Sequence, residues 1–514
     1  MNGAESLVRT LLANGVDTCF ANPGTSEIHL VQAIEAVEGF RGILCLFEGV
    51  CTGAADGYGR MRGHPAATLL HLGAGLGNGI ANFHNCRRAG TPVVNVVGQH
   101  AIHHIPYDAP LTSDVEAVAR PVSSFLRTSR SSRGLGDDAA GALLAAMAPN
   151  PDPLGSIATL IVPADCAWGP AGPVRRVDQW PSTPVVEDDV VISVASLLDP
   201  SSAILIDGSG LLEDGVRAAG RIAAGTGCGI YSPTFPARVE AGPDLPVIRR
   251  LPYFPESATQ ELTRFERVIL AGATAPAAFF KYPGLRSEII PESCSVHHLA
   301  LRHEDVARAL GDLADELEAP SSGAPAGHER PAMPEGRVTG SNFVGVLAHH
   351  LSENCILALD SGPGAGVYSA AQRMVRHSWL NLTGGSIGGA GPVALGASIA
   401  SRDRSTFALM GDGAALYTLQ YLWTAARENL DLTTIVFSNR QYNVLEVEYL
   451  RTGRTEVGRK SSEMFDLTDP DLDFVAMAAG LGVPGSTAET CEQFDHALHE
   501  AQETDGPYLI DLLI

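Results

Sequence analysis

Apolar runs in this sequence are short. None approaches the roughly 20 residues a membrane-spanning helix requires, and the chain does not open with a basic stretch followed by an apolar one. Both absences point to a cytoplasmic protein. Positive charge is scarce as well. Lys and Arg total 35 against 58 Asp and Glu, a formal net charge of −23, and the pI is near 5.0. Such a surface argues against nucleic acid or an anionic membrane as a partner. The nine cysteines include no Cys-x-x-Cys pair, so neither a zinc site nor a disulfide framework is implied. A soluble enzyme is the default, and 514 residues suggest about three domains, because one core rarely organises more than about 250–300 residues.

The chain alternates apolar runs with helical periodicity. Residues 407–410 are an apolar run ending at Gly411-Asp412-Gly413, and residues 433–437 are another, ending at Ser438-Asn439-Arg440-Gln441. Both fit buried parallel strands, with a helix over 414–427 between them. A glycine-rich turn from strand to helix brings backbone N–H groups close to a diphosphate. Asp412 and Asn439, each at a strand end, supply the hard oxygens that Mg2+ takes. An ordinary Gly-Asp-Gly turn is the plain alternative, and the second strand ending in Asn counts against it.

The first third reads similarly. A helix over 5–12 is ended by Gly15. A strand over 18–21 meets Asn22-Pro23-Gly24-Thr25, where Thr25 or Ser26 can cap the next helix. An apolar strand over 42–47 runs into Glu48, followed by a helix whose Gly53, Ala54, Ala55 and Gly57 permit close packing. Glu48 is either a helix-start acid favoured by the macrodipole or a carboxylate with a chemical task. Ionised at the end of an apolar strand, it needs a partner. A strand over 66–70 leads into His71 and a glycine-rich turn reaching Asn78. A structural histidine is the plain reading there, but strand C-terminal ends are where open α/β sheets bind ligands. His100, His103 and His104 follow the strand over 92–97 without metal-ligand spacing, as solvated loop residues. A strand over 158–163 closes this unit.

A second α/β unit spans 185–318, with strands at 203–206 and 268–271. Its Gly208-Ser209-Gly210 is only a fragment of a dinucleotide fingerprint. Residues 319–337, rich in Pro, Ala, Gly and Ser, form a linker. In the last unit, a strand over 356–359 ends at Asp360-Ser361-Gly362-Pro363-Gly364, small enough for diphosphate approach. Gly384-Gly385-Ser386-Ile387-Gly388 then precedes a Gly/Ala-rich helix, and residues 507–514 give a final strand.

These motifs carry a resemblance over nearly the whole chain. Gly411-Asp412-Gly413 through Ser438-Asn439 resembles the thiamine diphosphate motif of the acetolactate synthase, benzoylformate decarboxylase and pyruvate decarboxylase superfamily. Ser438-Asn439 stands where that family usually has Asn-Asn. Glu48 with Ala55-Asp56-Gly57-Tyr58-Gly59-Arg60 matches the family's Glu and Ala-Asp-Gly-Tyr-Ala-Arg segment. Asn22-Pro23-Gly24 and His71-Leu72-Gly73-Ala74-Gly75 resemble benzoylformate decarboxylase in particular.

The resemblance implies an α/β fold of three parallel-sheet domains: pyrimidine-binding (1–172), central (185–318) and, after the linker, diphosphate-binding (338–514). Mg2+ would be held by the side chains of Asp412 and Asn439 and the carbonyl of Gln441. Asn22, Pro23, Gly24 and Asn78 would contact the cofactor from the first domain. Ser361, Gly362, Gly411, Gly413 and Ala414 would do so from the third, with Ile387 propping its bent shape and the Gly385 carbonyl accepting its 4′-amino group. Glu48 would hydrogen-bond N1′ of the aminopyrimidine, and His71 would transfer protons. Thr25, where the benzoylformate decarboxylase subgroup has Ser, would orient the substrate carboxylate. Acetolactate synthases also hold FAD in the central domain. No convincing FAD constellation is found in this sequence, which leaves FAD doubtful and that domain a scaffold.

The implied reaction is decarboxylation of a 2-oxo acid. It ends either in protonation to an aldehyde or in carboligation to an aldehyde or second oxo acid. An acetolactate synthase-type carboligase, a 2-hydroxyacyl lyase and a non-catalytic regulatory subunit are the alternatives. The cofactor would lie between the first domain of one subunit and the third of another, in a homodimer or homotetramer.

Overall fold

Apolar runs too short for a membrane become strands when glycine, proline and capping residues end them, and parallel strands need helices to connect them. The computed structural model, which describes residues 1–151, 155–360 and 362–514, follows this rule throughout. Among the described residues no helix is long and apolar enough to cross a membrane. The first strands are β1 (Thr18–Asn22), β2 (Arg41–Leu44), β3 (Ala66–Leu70), β4 (Val93–Gln99), β5 (Phe125–Thr128) and β6 (Ile157–Pro163). They form a parallel sheet in the order β2-β1-β3-β4-β6-β5. Next come β7 (Ser202–Ile206), β8 (Gly229–Ser232), β9 (Arg238–Ala241), β10 (Arg249–Arg250), β11 (Arg267–Ala271) and β12 (Ser295–Ala300). All but β9 make a second parallel sheet, β10-β8-β7-β11-β12.

The last strands are β13 (Cys355–Asp360), β14 (His377–Leu380), β15 (Thr406–Gly411), β16 (Leu432–Ser438), β17 (Gly485–Ala488) and β18 (Tyr508–Leu513). They stack as β17-β18-β16-β15-β13-β14-β9. Here β9 joins antiparallel to β14, so a strand from the middle of the chain completes the third sheet. Two of these orders set the location of a site. In the first sheet the connections run outward in opposite directions from β1 and β3, and in the third sheet from β13 and β15. Ligands bind outside the strand C-termini at such switch points.

Three local expectations are corrected. The strand expected over 42–47 stops at Leu44, because it is the sheet edge and Asn22 Nδ2 takes the Cys45 carbonyl at 2.8 Å. Glu48 therefore opens the helix Glu48–Arg62 after an extended Phe47. The glycine-rich stretch after His71 is not a turn but the start of the helix Leu72–Ala89. Its glycines serve packing: a methyl on Gly73 would lie 2.1 Å from Ser113 Oγ. The helix expected over 414–427 breaks into Asp412–Thr418 and Tyr421–Arg427, where Thr418 Oγ1 donates to Gly388 O at 2.7 Å.

The first and third sheets meet through helices Glu48–Arg62 and Ala390–Ala400. A methyl on Gly57 would fall 1.9 Å from Val393 O, and one on Gly396 1.8 Å from Ala54 O. The two backbones therefore touch. Beside them Arg60 makes a bidentate pair with fully buried Asp56, and Arg60 Nη1 donates to Asn381 O at 2.7 Å. The Ala55–Arg60 part of the motif thus joins the two units. Gly57→Ala should destabilise the protein by about 1–3 kcal/mol or more, the range for overpacking, measured by denaturant unfolding. An unchanged midpoint would show that the helices can separate at no cost.

Candidate active site

Strand β1 ends in Asn22-Pro23-Gly24, and the chain then makes the short 3-10 turn Thr25–Glu27. The turn is closed not by Thr25 or Ser26 but by Glu27, whose Oε2 accepts from Gly24 N at 2.8 Å. Glu27 is fully buried. Its Oε2 also lies 2.7 Å from His71 Nδ1, and its Oε1 accepts from Ser26 Oγ at 2.7 Å. Ser26 Oγ is itself 3.2 Å from His71 Nδ1. His71 follows β3, the neighbour of β1, so the two strand ends bring this group together.

Glycines make the arrangement possible. A methyl on Gly24 would sit 2.3 Å from His71 Nδ1, and one on Gly98 1.6 Å from Glu27 Oε1. A part-exposed imidazole backed by a buried carboxylate is oriented for proton transfer. The sequence singles out His71, offers Ser26 only as a cap and leaves Glu27 unmarked, although an acid three residues after Gly24 is a signal for it.

Glu48, part-buried at the start of its helix, accepts from Asn78 Nδ2 at 3.0 Å. Two residues singled out separately are thus brought together. A methyl on Gly75 would lie 3.0 Å from Glu48 Oε1, so the glycine admits the carboxylate against the next helix. Thr25 is exposed in the turn that carries Glu27. His103 and His104 are exposed and His100 part-buried; His103 Nδ1 is 3.7 Å from Asp165 Oδ2, and the His100 and His104 rings stack edge-on at 5.4 Å.

The third sheet carries the second cluster. Asp412, directly after β15, is buried. Its Oδ1 accepts from Gly413 N at 2.8 Å and its Oδ2 from Arg440 N at 2.6 Å. Burial pushes its carboxyl above the usual range, while backbone N–H groups pull the other way. Asn439 Oδ1 accepts from Gln441 N at 3.2 Å, and Gln441 O accepts from Asn443 N at 2.9 Å. Asp412 lines a cavity of about 200 Å3 with Ser438, Asp473 and Asp511. Asn439 and Gln441 line an adjoining one of about 370 Å3 that shares Arg440.

The donor set consists of oxygens alone and centres on a buried carboxylate to which, among the described residues, no cationic side chain is bonded. It suits a hard dication such as Mg2+. Among the described residues, apart from the chain neighbours, none comes within 4 Å of a methyl placed on Gly411 or Gly362, whereas Gly413 packs on Tyr442. Ala414 is buried behind them. Open backbone at both strand ends fits a diphosphate. Ser361 lies outside the described residues.

The segment before the helix Ala390–Ala400 is held from both sides. Asn85 donates to Ser386 O at 2.8 Å and accepts from Ser386 N at 3.1 Å, and His84 Nε2 is 3.1 Å from Gly384 O. Asp360, fully buried with its carboxyl pushed up to about 6 by burial, accepts from Gly388 N and Gly389 N. Gly385 has φ +75° with the Phe279 ring against it, and Ile387 stays 36% exposed. An apolar side chain held in solvent on a fixed backbone is a surface for another group.

The chain is similar to known proteins over both of its terminal units. Residues 1–117 match the model of the thiamine pyrophosphate enzyme N-terminal TPP binding domain, and residues 364–512 that of the C-terminal TPP binding domain. A Mycobacterium tuberculosis protein with the provisional name acetolactate synthase large subunit IlvX is 44% identical over 518 residues, covering 100% of this chain and 99% of that one. Benzoylformate decarboxylase of Pseudomonas aeruginosa is 26% identical, with 98% and 97% covered. Among solved structures, the thiamine diphosphate-dependent 4-hydroxybenzoylformate decarboxylase of Rhodococcus jostii superposes with a TM-score of 0.86 at 22% identity, covering 99% of this chain and 98% of that one.

Proposed function

This chain belongs to the thiamine pyrophosphate enzyme family, and we propose that it decarboxylates a small 2-oxo acid without oxidation, using thiamine diphosphate and Mg2+. The three-sheet fold, the thiamine diphosphate dependence and lyase or transferase activity are those of the family. The observation that carries the finer reading is the pairing of His71 with buried Glu27. It supplies a proton donor for the carbon that CO2 leaves.

Bound thiamine diphosphate supplies the nucleophilic carbon and the electron sink. Glu48, oriented by Asn78, holds a proton toward N1′ of the aminopyrimidine. Asp412, Asn439 and the Gln441 carbonyl would hold Mg2+, with Gly362, Gly411, Gly413 and Ala414 offering backbone and Ser361 a hydroxyl to the diphosphate. Gly385 O would accept from the 4′-amino group and Ile387 would support the cofactor. Asn22, Pro23 and Gly24 border the pyrimidine side, and Thr25 orients the substrate carboxylate. Exposed Leu44 and Leu46 precede Glu48, and exposed Ile387, Leu416 and Tyr417 flank the third-sheet cluster. Apolar surface of this kind supports a second copy covering both clusters, with the site shared between subunits.

The name of the 44% identical relative favours a second reading, carboligation to another oxo acid. A panel of 2-oxo acids with and without acceptor aldehydes separates the two. Aldehyde and CO2 support the first, and an acyloin or acetohydroxy acid the second. No CO2 from any member with the cofactor bound would contradict both.

His71→Ala should bind thiamine diphosphate normally and lose about 100-fold or more in turnover, the scale of a general acid–base group. Glu27→Gln, which leaves the ring in place, should reproduce part of the loss. Unchanged turnover per bound cofactor, with lowered thermal stability, would make the pair structural.

A further inference from the structure

Away from the active site, a second cluster of metal-ligating side chains lies on the helix Cys491–Glu503. Asp495 and His499 stand one turn apart and so share a face of it. His350, in the turn after the helix Phe343–Leu347, packs against them. One ligand atom from each of the three lies within 4.8 Å of the others, and the two imidazole rings meet nearly perpendicular at 4.5 Å.

The hydrogen bonds around His350 point to a cation. Gln502 Nε2 donates to His350 O at 2.8 Å, which turns its Oε1 toward the ring, 3.4 Å from Nδ1. On the other side His350 Nε2 is 2.7 Å from Asp495 Oδ1. Both nitrogens of a side chain only 3% exposed therefore face oxygen acceptors, yet a neutral imidazole has a single N–H. One ring N–H can serve only one of these acceptors, and a metal ion held between Nε2 and Asp495 would serve the other side of the ring. His499 Nδ1 is 3.0 Å from Asp495 O, an N–H to carbonyl bond that leaves the lone pair on Nε2. Such outer bonds to the second nitrogen orient imidazoles that bind metals.

We propose that His350, Asp495 and His499 form a binding site for a borderline divalent transition ion, with Zn2+ the best match to two imidazoles and a carboxylate and water completing the shell. The ion would staple the turn at His350 to a helix nearly 150 residues later in the chain. This site is distinct from the oxygen-only cluster at Asp412 in place and in donor chemistry.

Calorimetric titration of Zn2+ into chelator-stripped protein, refilled with thiamine diphosphate and excess Mg2+, tests it. All nine cysteines are buried and do not compete. One Zn2+ should bind per chain and raise the melting temperature. His499→Ala alters a ring that is 60% exposed, so the fold should survive, and it should remove the binding and the shift. Gln502→Ala, which leaves all three ligands, should weaken binding about 10–100-fold, the range for an outer-shell partner. Equal Zn2+ binding by wild type and His499→Ala, or none by either, would overturn the proposal and leave His350 a hydrogen-bond partner of Asp495.

Discussion

Asp412→Ala should abolish Mg2+-dependent binding of thiamine diphosphate while leaving the cofactor-free protein folded. The carboxylate is buried, and its two oxygens accept from backbone N–H groups, those of Gly413 and Arg440 among them. Burial without a counter-charge penalises the ionised form, consistent with the direction in which its carboxyl is shifted. A bound dication would relieve that penalty, so ligand and protein are coupled at this residue. Removing the carboxylate loses the coupling and also deletes a costly charge. Melting of the cofactor-free variant should therefore change little, and Asp412→Asn, which keeps an acceptor for one N–H, should change it less still. Binding, in contrast, should weaken by more than the roughly 100-fold that loss of an outer-shell partner costs a metal site. The thermal shift from thiamine diphosphate and Mg2+ should vanish with it. A variant that titrates like wild type would move the metal away from β15.

Glu48→Gln should separate binding from chemistry. Asn78 donates to Glu48 Oε2 at 3.0 Å, and a glutamine can still offer an oxygen there, so side-chain placement and cofactor affinity should persist. What it cannot do is exchange a proton with N1′. Turnover should fall about 100- to 10,000-fold, the span measured for general acid–base groups, with thiamine diphosphate affinity close to wild type. Loss of affinity in step with turnover would make Glu48 a binding group instead.

The elements on which these expectations rest were legible because they are local. An apolar run closed by a small residue and then an oxygen donor, Gly411-Asp412 after β15 and Ser438-Asn439 after β16, marks both strand ends, and the sheet order then places the two side by side. The same logic located His71 at the end of β3. The contacts between these residues were less legible. Glu27 meets His71 at a sequence separation of 44, and only the adjacency of β1 and β3 makes that pair. The link between Asn78 and Glu48 depends likewise on how two helices pack through Gly75. Boundaries failed where tertiary bonds replaced local ones: the Asn22 side chain ended β2, and Thr418 bent the helix after Asp412. Strand β9 leaves its sequence neighbours for the third sheet, a choice made by the exposed edge of β14 and not by its own residues.

The central claim is that Glu48 and the loops around it activate bound thiamine diphosphate, whatever the substrate. Hydrogen–deuterium exchange at C2 of the thiazolium ring, followed by quench and NMR, tests this without knowledge of the substrate. The account predicts exchange far faster on the wild-type protein than in free cofactor, falling back toward the free rate in Glu48→Gln with the cofactor still bound. Exchange on the wild-type protein no faster than in free thiamine diphosphate would contradict it.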